Sequence, residues 1–289
     1  MKINESNSMF LIPAYFTIGV LLVIPLVLLV IFSLTSWNLM QPGSFKFFGF
    51  GNFRRMISEP RFFNSVKVSI YYIFINTGVQ VIIGTVIALL LFQENLGTRI
   101  LRPVFLFPML LPPVCVGVAW KILFVPSLGG VNYFLNTLFG ILGPDWLNGA
   151  TSALIAVTIA SVWEWTPFVM LLILAGLEAL PKSPFESAQI DGANFFQVLV
   201  LITLPLLKPV FMTVILLRII ESLAILPLIF MMTGGGPANA TEPINVYAYY
   251  SGLDFLDISY SSSLMITFIF ILAICSFVFI KPALKSSGE

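Results

Sequence analysis

Three ionisable side chains stand inside long apolar runs: Glu164, Arg218 and Glu221. A charge within hydrocarbon is costly, so such groups face a bundle interior or a watery path and pair with one another. Arg218 and Glu221 are three residues apart and share a helix face. Two chemistries are open to the set: an ion pair locked across helices to Glu164, or a polar wall that hydrogen-bonds the hydroxyls of a molecule crossing the membrane. Trp163 and Trp165 flank Glu164; their rings either pack ordinarily or meet the C–H faces of such a molecule. Pro167 frees a carbonyl one turn earlier and can kink the helix. Asn76 and Gln80, four apart, share a face that lines the same path or joins helices.

Other chemistries find no residues to carry them. The chain has no histidine, which removes histidine metal sites and histidine acid–base catalysis, and no carboxylates cluster in the sequence. Cys115 and Cys275 both lie in apolar runs, where thiols pack as small apolar groups rather than pair as a disulfide. Gly234-Gly235-Gly236-Pro237 lacks the Lys-Ser/Thr of a phosphate-binding loop and reads as a turn. No catalytic residue, metal or bound cofactor is therefore expected on this chain. A net charge of +1 argues against nucleic acid as a partner.

The elements that hold these residues are membrane helices. Apolar residues make up 58% of the chain and charged residues 9%, a balance that could not keep a soluble surface wet. The first apolar run, Met9–Leu34, is too long for a signal-peptide core and lacks a cleavage site of small residues. Further runs are Ile70–Phe92, Pro103–Val125, Ala150–Leu177, Pro209–Met232 and Ser262–Ile280. A spanning helix needs roughly 20 residues, so the reading is an all-α integral membrane protein with six transmembrane helices and both termini on one side. Pro108, Pro112 and Pro113 interrupt the third run. The segmentation is 1–66 (first helix and an external segment), 67–285 (the main transmembrane domain) and a 286–289 tail. The external segment 36–66 mixes aromatics with charge and suits the membrane interface or a docking protein.

Between the fourth and fifth runs lies a polar island, Glu178–Pro209. Ser183-Pro184-Phe185-Glu186 reads as a capped helix start, Asp191-Gly192 as its stop, and Asn194 with Gln197 as a second start. Leu204-Pro205 is expected to end that second helix. The first helix shows Phe185, Ala188 and Gln189 to one side, a mixed face suited to a groove on a partner. The spacing Glu186-Ser187-Ala188, three residues, Gly192, nine residues, Ile202-x-Leu204-Pro205 resembles the EAA loop of permease subunits of bacterial ABC importers. Trp165-Thr166-Pro167-Phe168, Met232-Thr233-Gly234-Gly235-Gly236-Pro237 and a weaker echo at Phe48–Phe53 resemble the carbohydrate-uptake, maltose/trehalose-type branch. Ala224 and Pro227 stand where that family's pattern has charged residues.

The resemblance implies a type I ABC importer permease fold, with the cargo a sugar and glycerol phosphate or a polyol as the alternative. It implies a second related permease subunit, two ATPase subunits that bind the ATP and magnesium, and an external substrate-binding protein. Ser183, Glu186, Ser187, Ala188, Asp191, Gly192 and Pro205 then form the ATPase-coupling loop. The location is the bacterial inner membrane, with Lys2, Arg99, Lys182 and Lys285 cytoplasmic and Arg54 and Asp254 outside. An ion-driven secondary transporter is the rival class, and would show internal repeats with matched broken helices.

Overall fold

The computed structural model describes residues 5–92, 96–221 and 225–286, all as helices and connecting turns apart from two isolated bridges. Lys2 and Ala224 lie outside the described residues. Among the described residues, four helices are long and apolar enough to cross a membrane: α1 (Glu5–Ser33), α3 (Pro60–Leu91), α7 (Ala150–Glu178) and α13 (Ile258–Ser286). Two bent pairs bring the number to six if each pair is one span. The first is α4 (Leu96–Leu110) with α5 (Pro113–Leu123), turned by 96°. Leu111 and Pro112 are extended there, as expected for residues that precede prolines. The expected run Pro103–Val125 is thus two helices. The second pair is α9 (Phe195–Leu206) with α10 (Lys208–Glu221), bent by 61°. The run expected as one helix from Pro209 to Met232 is α10 followed by α11 (Leu226–Met232).

Leu204 does not end its helix: its backbone is helical, and the chain turns only at Leu207. A π-helical turn at Leu199–Thr203 precedes Pro205 and accommodates the missing donor, and the Thr203 hydroxyl bonds the Val198 carbonyl at 3.2 Å.

The chain forms two compact units. One comprises residues 5–63 with Ile244–Phe270. Its anchor is Asn52 in α2 (Gly51–Ser58), whose amide donates to the Ser33 and Thr35 carbonyls at 2.8 and 2.6 Å, closing the end of α1. This gives the Phe48–Phe53 motif a structural role. Ser259 at the start of α13 accepts from the Trp37 amide at 2.7 Å and bonds the Thr35 hydroxyl at 2.8 Å. Arg55 reaches Glu59 at 3.1 Å and Asp257 at 2.8 Å, and Glu59 accepts from the Tyr247 and Tyr260 hydroxyls. Partial burial pushes the Glu59 carboxyl up, but bonds from Tyr247, Tyr260 and Arg55 outweigh it and hold it below 4.5. Burial, and then the bond to Glu59, push the Tyr247 hydroxyl up to about 12.

The other unit comprises Asn64–Pro243 with residues 271–286. Its core joins α3, α7 and α10 through Ala88, Leu91, Val169, Ile173, Leu177 and Val214. Small residues let the backbones approach: a Cβ on Gly84 would fall 2.8 Å from Val169, and one on Gly176 within 2.9 Å of Val210. The Thr233–Thr241 loop after α11 is closed by Thr241, fully buried, whose hydroxyl bonds Thr233 at 2.7 Å and the Gly236 carbonyl at 2.8 Å. Gly234 and Gly235 take positive φ there, so the glycine signature is a turn tied by threonines.

Candidate functional site

Glu164, Arg218, Glu221, Asn76, Gln80 and Trp165 come together where α3, α7 and α10 meet. Arg218 is 5% exposed. Its guanidinium bonds Glu221 at 2.6 Å and the side-chain amide oxygen of Gln80 at 2.9 Å, and lies 4.7 Å from the centre of the Trp165 ring. Three kinds of partner therefore hold one buried cation: a carboxylate, an amide and an aromatic face. Glu164, 2% exposed, adds a second carboxylate in the field of Arg218. Asn76 donates to the Ser161 hydroxyl and Gln80 to the Ser161 carbonyl, each at 3.1 Å. These two amides tie α3 to α7 as well as facing the cluster. The pocket between these groups has about 10 Å³ of free space.

Trp163 is separate from this set. Two residues from Trp165, it points to another side of α7, meets the Trp120 ring edge-on at 5.8 Å and lines a hollow of about 620 Å³ with Phe105 and Val162. Sequence grouping by proximity put the two tryptophans together; helical geometry divides them.

Sequence reasoning missed Tyr72. It lies on a π-helical turn, Tyr72–Asn76, is 3% exposed and lines the same pocket. Its hydroxyl and the side-chain amide oxygen of Asn76 have no hydrogen-bond partner among the described residues. The signal was present as a stripe, Tyr72, Asn76 and Gln80, at intervals of four.

The polar island holds a second candidate site. Helix α8 (Ser183–Ile190) ends in a motif set by Gly192. Gly192 has φ +71°, its N–H donates to the Gln189 carbonyl at 3.2 Å, and Ala193 N–H reaches the Ala188 carbonyl at 2.9 Å. This crossed pair of bonds is the left-handed helix stop that glycine permits. Asn194 and Gln197 cap α9 reciprocally at 2.8 and 3.0 Å.

The cap expected at Ser183 is absent. Lys182 is already helical and its carbonyl accepts from Phe185 and Glu186, so Ser183 sits within the first turn, where its hydroxyl caps nothing. Ser183, Glu186, Ser187, Asp191, Gly192 and Pro205 are exposed, whereas Ala188 is buried. Gln189 is exposed and so does not share the inward face of Ala188. Phe185 and Glu186 line a hollow of about 750 Å³ with Lys182, Phe195 and Thr203. Arg102 pairs with Glu178 at 3.2 Å, fixing the start of this loop to α4.

The described residues thus combine helices long and apolar enough to cross a membrane, an exposed loop helix, and a buried charge cluster where three helices meet. Residues 80–285 match the model of the binding-protein-dependent transport system inner membrane component. The chain is 38% identical over 267 residues to a probable ABC transporter permease protein of Sinorhizobium fredii, covering 92% of this chain and 86% of that protein. It is 37% identical over 228 residues to the trehalose/maltose transport system permease protein MalF of Thermococcus litoralis, covering 78% and 77%. A solved bacterial ABC transporter involved in the import of the acidic polysaccharide alginate shares the fold, with a TM-score of 0.80 at 18% identity over 96% of this chain and 94% of that one. The chain belongs to the family of binding-protein-dependent transport system inner membrane components.

Proposed function

We propose that this chain is the membrane-spanning subunit of an ABC importer that moves a neutral sugar, delivered by an external binding protein, into a bacterial cell. The family match over residues 80–285 carries the transport reading, and the trehalose/maltose relative supports a carbohydrate cargo. The state of Arg218 favours a neutral cargo over glycerol phosphate. Its guanidinium is already bound by Glu221 and Gln80 and stacked on Trp165, and among the described residues no other basic residue lines that pocket. In this reading Asn76, Gln80, Glu164, Trp165, Arg218 and Glu221 brace the wall of the translocation path, and Trp163 faces a separate part of it.

A second permease subunit completes the path, and ATP with magnesium binds in two partner ATPase subunits. Helix α8 and Gly192 face those subunits on the cytoplasmic side, where the termini also lie. Coupling is thermodynamic: the ATPases make different contacts with the loop in the two permease conformations, and so favour one of them. The rival ion-driven mechanism lacks support, because the bent pairs α4–α5 and α9–α10 differ in angle, 96° and 61°, and in sequence pattern.

The test is ATP-dependent accumulation of labelled sugars in vesicles carrying this chain with its partner subunits and binding protein. Uptake of at least one neutral hexose or disaccharide is expected. Uptake driven by an ion gradient without ATP would overturn the proposal.

A further inference from the structure

A hydroxyl-rich cargo needs a cavity with both room and polar partners. The hollow beside Trp163 has about 620 Å³, but its walls are aliphatic and aromatic, and its Thr158 and Thr166 hydroxyls donate to the Leu154 and Val162 carbonyls at 2.8 and 2.6 Å. The pocket at Arg218 is polar, but its 10 Å³ holds about one water. The unit built from residues 5–63 and Ile244–Phe270 contains a cavity with both properties. It measures about 380 Å³ and is walled by Asn38, Arg55, Arg61, Tyr247, Phe255 and Asp257.

We propose that this cavity is a carbohydrate-accepting site, which takes a neutral sugar unit of the cargo. The inference rests on the reading that the cargo is a carbohydrate.

Three features of the wall point to that ligand. Its charges cancel: Arg55 and Arg61 stand against Glu59 and Asp257, which disfavours a charged ligand. Its polar groups are fixed in advance. Arg55 is bonded to Glu59 and Asp257 and rests 4.2 Å from the centre of the Tyr260 ring; Arg61 rests 4.5 Å from that of Tyr247. Little side-chain entropy remains to be lost when a ligand binds. Arg55 has five N–H donors and uses two on these carboxylates, and its side chain is 53% exposed, so donors remain for vicinal hydroxyls. Lastly, Phe255 is 56% exposed and offers a ring for the C–H face of a pyranose. The volume lies within the roughly 300–1,000 Å³ usual for small-molecule sites and suits a ligand rather than a flat protein contact.

The experiment has two stages. Cells carrying the full importer are given a panel of labelled neutral hexoses and disaccharides, and the sugar they accumulate becomes the probe. Equilibrium binding of that sugar is then measured on the full-length permease, assembled with its partner subunits in lipid nanodiscs, without the binding protein. Saturable binding is expected, weakened about three- to tenfold by Phe255→Ala, the cost of one aromatic contact. Phe255→Trp should restore it, and thermal unfolding should be unchanged in both variants. Sugar binding that is equal in Phe255→Ala and the parent overturns the site while the transport reading stands. Loss of binding-protein capture with sugar binding intact also overturns it, since the cavity is then a protein contact. If no carbohydrate of the panel accumulates, the underlying reading fails and takes this inference with it.

Discussion

Arg218→Met removes the cation around which three spans are arranged. The methionine is close in length and keeps the packing, so the effect isolates charge and hydrogen bonding. Glu164, 2% exposed, and Glu221 lose their counter-charge, and the side-chain amide oxygen of Gln80 loses its donor. Breaking a buried ion pair by removing one partner costs about 3–5 kcal/mol, because the remaining charge is uncompensated. The lower half of that range applies here, since the Glu221 side chain is 32% exposed and finds some solvation. Hydrogen bonds within membranes average only about 0.6 kcal/mol, so Gln80→Leu, which loses two such bonds, should cost about 1 kcal/mol. The charge term therefore dominates.

The triple variant Glu164→Gln, Arg218→Met, Glu221→Gln has no orphaned charge and should recover most of the loss. The assay is thermal unfolding of the purified full-length chain in nanodiscs, with membrane abundance measured in parallel. If Arg218→Met is as stable as the triple variant, or if Gln80→Leu is the more damaging single change, the cluster is not an electrostatic lock.

Other expectations follow from the same geometry. Asn194→Ala should cost about 1 kcal/mol by loss of a reciprocal cap, whereas Ser183→Ala should leave stability unchanged in the same unfolding assay, because its hydroxyl caps nothing. Glu59 is held below its ordinary value, so its contribution is complete above about pH 4.5 and fades as pH falls through the folded value. Tyr247 is raised to about 12, so stability should also fall as pH rises from 10.0 toward that value. Melting curves against pH should show both limbs, with Glu59→Gln removing the acid one. Single-cysteine labelling in a background free of Cys115 and Cys275 should protect position 182 and expose positions 54 and 254 to impermeant reagent in intact cells; labelling at 182 would reverse the orientation.

Local features were legible in the sequence because their causes are local. Gly192 marks a left-handed stop and Asn194–Gln197 a reciprocal cap, and both are visible within four residues. The Ser183 cap failed for a reason no short window shows. A cap requires extended backbone, and here Lys182 has already entered the helix. Run length located the four long helices. It could not show that α9 passes through Pro205 on a π-turn.

Arg218, Glu164 and Glu221 were found because charge in hydrocarbon is conspicuous; Tyr72 was overlooked because an aromatic in an apolar run is not. The association of Ile244–Phe270 with residues 5–63 was beyond reach, since the Asn52, Glu59 and Ser259 bonds that make the unit depend on neighbours distant in sequence.

The central claim is that the loop at Gly192 couples this chain to an ATPase, and one comparison tests it directly. Gly192 has φ +71° and open space where a Cβ would lie, so a substitution there acts through backbone strain, not through collision. Asn tolerates this conformation and a β-branched residue does not. Gly192→Asn and Gly192→Val are compared with the parent at matched membrane abundance, reading ATPase co-purification and sugar uptake together. Coupling through the loop predicts parent-like values for Asn and loss of both for Val. Parent-level association and uptake in Gly192→Val would contradict the account and leave the loop as a connector.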